Sequence, residues 1–213
     1  MPTLQLRGIK KLLCLGAHSD DIEIGCGATV LRLIRENPGL EVHWCVFTAK
    51  GPRTREAKNS AAEFLQPVRV KKIRVTQFRE SYFPADWAAI KDAFEEIRRG
   101  INPDLVFTHY RDDRHQDHRV ISDLTWNTFR NHLVLEYEIP KYDGDLGTPN
   151  VYLPASRADG ERKIGALRRH FPSQADKHWF TDDTFWALLR LRGVECASPD
   201  GFAEAFYGRK ILL

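Results

Sequence analysis

No apolar run in this chain of 213 residues approaches the roughly 20 residues that a membrane-spanning helix needs. The opening segment Met1-Pro2-Thr3-Leu4-Gln5-Leu6-Arg7 lacks the apolar core of a secretory signal, so a cytoplasmic protein is expected. Cysteine is scarce: Cys14, Cys26, Cys45 and Cys196 are the four, and no two form a CxxC pair. Two of them lie in apolar strand-like runs, which suits reduced, mostly buried thiols. Blocks of like charge are also missing. The 32 Lys+Arg and 29 Asp+Glu are interspersed and leave a net +3, which forecasts neither nucleic-acid nor membrane binding. There is no internal repeat and no low-complexity tract. What is present is a folded composition, 42% hydrophobic and 11% aromatic, in a chain long enough for one full core.

The chain alternates apolar runs with amphipathic stretches. Strands are expected at Lys10–Gly16, Leu40–Thr48, Val68–Gln77, Leu105–Thr108 and Leu133–Ile139, with a short one within Phe202–Leu213. Helices are expected at Cys26–Asn37, Arg53–Leu65, Asp86–Arg99, His118–Asn131, Ser156–His170 and Asp182–Arg192, the last capped by Thr181 or Asp182. Pro140–Pro154 is rich in Gly, Pro, Asp and Asn and reads as a loop. This alternation implies right-handed crossovers and a mostly parallel sheet with helices on both faces, a three-layer Rossmann-like α/β fold. Residues 1–213 read as a single domain, with the part from about 140 onward an adjunct that shapes or closes over the substrate pocket.

Two stretches concentrate the chemistry. Ala17-His18-Ser19-Asp20-Asp21-Ile22-Glu23-Ile24-Gly25-Cys26-Gly27 follows the first strand. Thr108-His109-Tyr110-Arg111-Asp112-Asp113-Arg114-His115-Gln116-Asp117-His118 follows the fourth. Four of the eight histidines fall in them. If the two strands are neighbours, both stretches meet at the carboxyl edge of the sheet, where open α/β folds bind ligands. Catalytic zinc sites commonly use three N/O ligands and leave a fourth position to water. Two ligands from one stretch and one from the other would suit that plan. Of the adjacent Asp20 and Asp21, one can ligate while the other acts as base. His115 and His118, three apart, divide in the same way between ligation and facing the developing oxyanion or leaving amine. Gly25-Cys26-Gly27 is a near miss for a dinucleotide loop, but a pyrophosphate there would meet Asp20 and Asp21.

The segments His18-Ser19-Asp20-Asp21-Ile22-Glu23-Ile24-Gly25-Cys26-Gly27-Ala28-Thr29 and His115-Gln116-Asp117-His118 resemble the PIG-L/LmbE-like family of zinc-dependent N-deacetylases. The resemblance implies removal of an acetyl group from an N-acetylglucosamine-type amino sugar or its conjugate. It implies His18, Asp21 and His118 as metal ligands and Asp20 as general base. It further implies His115 as the group that stabilises the oxyanion or protonates the amine, and Asp117 as the residue that orients a neighbouring histidine. Zn²⁺ is the implied metal, although two imidazoles and a carboxylate also accept Fe²⁺ or Co²⁺. Ser19 replaces the family's usual Pro, and Ile22 stands where many members have Glu, with Glu23 following. Arg53, Arg55 and His109 are candidate substrate-binding residues, and Tyr142, Asp143 and Asp145 lie in a loop within reach of substrate. His43 reads as structural; His132, His170 and His178 are isolated. Trp87 with Phe94, and Phe185 with Trp186, are expected in the core. The partner is a small molecule, and a homo-oligomer is left open. The alternatives are a catalytically silent sugar- or metal-binding protein, and a metal hydrolase of another amide or an ester.

Overall fold

Leu12, Leu13, Cys14 and Leu15 are all wholly buried, so their strand needs a covered face on both sides. In the computed structural model, which describes residues 5–211, this strand is central. The strands are β1 (Lys11–Gly16), β2 (Glu41–Val46), β3 (Lys71–Val75), β4 (Leu105–His109), β5 (Leu133–Tyr137), β6 (Val151–Ala155) and β7 (Phe202–Gly208). They form one sheet in the order β3-β2-β1-β4-β5-β7-β6. The first five are parallel, β7 runs antiparallel to β5, and β6 antiparallel to β7.

The helices are α1 (Asp21–Glu36), α2 (Pro52–Phe64), α3 (Trp87–Gly100), α4 (Gln116–Thr128), α5 (Arg157–His170) and α6 (Asp182–Glu195). Alternation along the strands divides the core in two. Leu12, Cys14, Val42 and Trp44 pack with α1, α2, α5 and α6. Leu13, Leu15, Cys45 and Phe47 pack with α3 and α4. Thr181 caps α6 by accepting from Thr184 N at 3.2 Å. Because β1 leads to β2 on one side and β4 returns on the other, the chain changes direction between β1 and β4, and a crevice opens above their carboxyl ends. All four cysteines are free thiols, three of them buried.

Three expectations are corrected. The first helix begins at Asp21, five residues before Cys26, and Cys26 itself is non-helical at φ −143°, ψ 16°. Its first turn is buried on every side, so it carries no amphipathic period to read. The expected Pro140–Pro154 loop ends in strand β6, which lies at the sheet edge, where Pro154 costs no ladder bond. Trp87, the first residue of α3, is 39% exposed, and Ile90, Phe94 and Ile97 carry the helix's buried face. Elsewhere the expected elements hold, with ends shifted by a few residues.

Tyr137 on β5 locks the crevice floor from below. Its hydroxyl donates to Leu15 O at 2.6 Å, and its ring lies so close to Gly25 that an added Cβ would stand 2.1 Å from Cδ2. Gly25→Ala should therefore displace a fully buried tyrosine and cost about 1–3 kcal/mol. A thermal-unfolding midpoint equal to that of the parent protein would contradict this packing argument.

Candidate metal centre and active site

His18 leaves the end of β1, Asp21 begins α1, and His118 lies in the first turn of α4. Pairing of β1 with β4 brings the three together. His18 Nδ1 lies 3.0 Å from His118 Nε2 and 3.3 Å from Asp21 Oδ2, and His118 Nε2 lies 3.6 Å from Asp21 Oδ2. Zinc–ligand bonds of about 2.0–2.1 Å put tetrahedral neighbours about 3.3 Å apart, so the spacing fits one ion. All three residues are buried.

The other ring nitrogens explain how such a set is held. His118 Nδ1 lies 2.8 Å from Asp113 Oδ2, and His18 Nε2 lies 3.2 Å from Asp117 Oδ2. With each of these nitrogens donating its proton to a carboxylate, the facing nitrogen keeps a lone pair for a metal. Asp117 is itself fixed by Ser81 N at 2.6 Å and Phe83 N at 3.1 Å. Asp113 accepts from His115 N at 2.8 Å and from Lys141 Nζ at 3.0 Å. Lys141 also bonds Asp145, whose Oδ2 accepts from Arg114 N at 2.7 Å.

The electrostatics are those of a site that wants a cation. Burial disfavours charge on His18, but Asp21 and Asp117 outweigh it and push its pKa up to about 10. A proton there serves the charge balance that a metal would serve, and metal binding would release it. Burial and then repulsion from His109 push His118 down to about 3. Burial opposes ionisation of Asp21, but His118, His109 and His18 hold its carboxyl well below the usual range. Burial and the neighbouring Asp21 push Asp20 up to about 6.

His115 is the N-cap of α4, its Nδ1 accepting from Asp117 N at 3.2 Å. That bond leaves the proton of a neutral ring on Nε2. Burial, followed by repulsion from His18, lowers its pKa.

Two other trios of ligand-capable side chains share His118: His18 with His115, and Asp21 with His109. His109 is wholly buried. Its Nε2 lies 2.9 Å from Ala17 N and 3.2 Å from Asp21 Oδ2, and its ring stacks on His118 at 3.9 Å. It supports the floor and does not line the cavity.

The cavity above the trio measures about 210 Å³ and is lined by His18, Asp20, Asp21, His115 and His118, by Arg53 and Glu80, and by Ile139, Lys141, Tyr142, Asp143, Lys177 and Trp179. Arg53 is tied to Glu80 at 2.8 Å and to Ser19 Oγ at 3.2 Å. The structure places Arg55 elsewhere, on a separate surface depression with Lys58 and Asn59. His178 reaches the rim through an edge contact with Tyr142 at 4.9 Å. His43 is buried beside Glu41, and His132 and His170 bond Asn102 and Glu63 away from the crevice. Glu23 is wholly buried, and burial pushes its carboxyl up to about 8, so it sits as a neutral acid behind the turn. Sequence reasoning did not single out Asp113, Lys141, Glu80, Lys177 or Trp179. Asp113 stands in the charged run before His115, but nothing in the run tells it from Asp112.

Residues 13–129 match the family model PIG-L, GlcNAc-PI de-N-acetylase. The chain belongs to the PIG-L family. It is 27% identical over 170 residues to the uncharacterized deacetylase YaiS of Escherichia coli, a match spanning 76% of this chain and 90% of that one. Among solved structures it resembles the N,N'-diacetylchitobiose deacetylase of Pyrococcus horikoshii, with a TM-score of 0.72 and 22% identity over 95% of this chain and 84% of that one. It also resembles GalB, the 4-carboxy-2-hydroxymuconate hydratase of Pseudomonas putida, with a TM-score of 0.75 and 16% identity over 96% and 98% of the two chains. These structural likenesses show a shared fold, and one fold here carries two reaction types. No helix among the described residues is long and apolar enough to cross a membrane.

Asp113→Ala should leave His118 free to rotate. It is expected to weaken Zn²⁺ binding about 10–100-fold, measured by competition with a chelating dye. Wild-type affinity in the variant would show that stacking on His109 alone orients the ring.

Proposed function

We propose that this PIG-L family member is a metal-dependent hydrolase that removes the N-acetyl group from an N-acetylglucosamine-type amino sugar or its conjugate. The observation that carries the reading is the convergence of His18 Nδ1, Asp21 Oδ2 and His118 Nε2 within 3.6 Å of one another on the floor of a cavity that Asp20 and His115 also line. His18, Asp21 and His118 would hold the ion, Zn²⁺ in the first instance. When bound, the ion supplies a Lewis acid that acidifies water and polarises the acetyl carbonyl.

The protein's own groups divide the remaining work. Asp20, next to a ligand and facing the cavity, takes the proton from the attacking water. His115, with its Nδ1 engaged as the helix cap, presents Nε2–H as a donor to the developing oxyanion. Asp20, once protonated, returns its proton to the departing nitrogen, so acetate and a free amine leave. Asp117 and Asp113 keep His18 and His118 in the ligating tautomers. Arg53 is in place to bind a sugar hydroxyl or an anionic substituent. The family description and the deacetylase relative support this reading over a silent binding protein.

Asp20→Ala should retain the metal and lose about 10²–10⁴-fold in turnover, whereas His118→Ala should lose both. Metal content by elemental analysis and acetate release from a panel of N-acetyl sugars measure the two effects. A fully active Asp20→Ala protein would remove the base assignment. A wild-type protein that takes up no zinc would remove the metal-hydrolase reading.

A further inference from the structure

The break in α1 has its own partners. Cys26 separates a short piece, Asp21–Gly25, from the longer piece that runs to Glu36. Such a break leaves a carbonyl at the end of the first piece and N–H groups at the start of the second without helical partners. One buried pair from the C-terminal part of the chain meets both. Lys163 Nζ on α5 donates to Ile24 O at 2.6 Å and to Glu204 Oε1 at 2.7 Å. Glu204 on β7 accepts from Ala28 N at 3.1 Å and from Thr29 N at 2.7 Å. The cation sits at the carbonyl end and the carboxylate at the N–H end, the signs that the two half-helices favour. Gly27 makes the room, since a Cβ there would stand 3.3 Å from Lys163 Cγ.

The short piece carries Asp21, with Asp20 as its cap. Five residues cannot hold a helical turn by themselves, so its direction has to come from its surroundings. In front lie the two histidines. Behind it is a small void of about 10 Å³, lined in part by Gly25, Lys163 and Glu204 and by a second buried pair, Glu138 and Arg192.

We infer that Lys163 and Glu204 are positioning residues: they clamp the break in α1 and so set how the Asp20–Asp21 turn faces His118. The inference rests on the metal-hydrolase reading above. By it, the C-terminal part governs the geometry of a site to which it supplies none of the proposed metal ligands.

The test uses the full chain carrying Lys163→Met/Glu204→Leu, with Lys163→Met alone for comparison. Removing one partner strands a buried charge, whereas removing both avoids it, so thermal stability should drop most in the single variant and recover only in part in the double, which still leaves Ile24 O and the Ala28 and Thr29 amides without their partners. Glu204→Gln, which keeps an acceptor for the Ala28 and Thr29 amides, is measured in parallel and serves if the double variant does not fold. Clamping predicts that the recovered variant still binds Zn²⁺ about 10–100-fold more weakly. Its kcat should be lower at unchanged KM, and hydrogen exchange should be faster only within residues 17–29. A stable variant with wild-type zinc affinity and wild-type exchange in that segment would reduce the pair to a structural ion pair and overturn the inference. Wild-type protein that neither binds Zn²⁺ nor cleaves an acetamide would overturn the hydrolase reading instead, and the exchange measurement would then decide the clamp alone.

Discussion

Three electron-pair donors held within 3.6 Å of one another in a buried floor are the constraint on which the rest of the structure turns. Left to themselves, two imidazole nitrogens and a carboxylate oxygen repel and seek water or protons. Here each imidazole is turned by a carboxylate behind it, and each carboxylate is itself hydrogen-bonded. Asp117 is held by backbone N–H groups of the segment before α3, and Asp113 by His115 N and Lys141. A buried polar network of this kind is stable only when every member is satisfied. The backing therefore extends outward through Lys141 and Asp145 to the loop after β5.

That outward spread explains why the later part of the chain matters to a site built mainly from the first 118 residues. Strands β6 and β7 complete the sheet, and helices α5 and α6 cover the face that α1 and α2 begin. The loop after β5 supplies Lys141, Tyr142 and Asp143 to the cavity wall, and the segment before α6 supplies Lys177 and Trp179. These residues stand beside His18, Asp20, Asp21, His115 and His118 in one cavity. Among the neighbouring structures, deacetylases and a hydratase share this architecture. A shared architecture therefore leaves the chemistry open, to be set by the side chains placed on it.

How much was legible can be argued from particular elements. The apolar runs of β1, β2, β4 and β5 declared buried parallel strands, and the amphipathic stretches between them declared the helices. The start of α1 was not legible, because Ile22, Glu23 and Ile24 are buried together and a turn surrounded on all sides has no polar face to mark its period. Strand β6 was hidden by a composition that reads as a loop, with a proline that only an edge strand tolerates.

For the site, the sequence by itself determined the donors: a histidine and two aspartates after one strand, and a histidine-rich turn after another. That the ends of β1 and β4 lie side by side was only a conditional expectation, because successive crossovers alone would place β1 beside β2; the reversal of strand order at β1 brings them together. Only the tertiary structure decided which nitrogen of each histidine faces inward, because that choice is made by Asp113 and Asp117 at distances no spacing rule encodes. It likewise decided that His109 lies beneath the floor, that Arg53 enters the cavity while Arg55 does not, and that Lys163 and Glu204 reach the break in α1. These are contacts between segments up to 176 residues apart. Local propensity carries no information about them; they follow from how the layers pack.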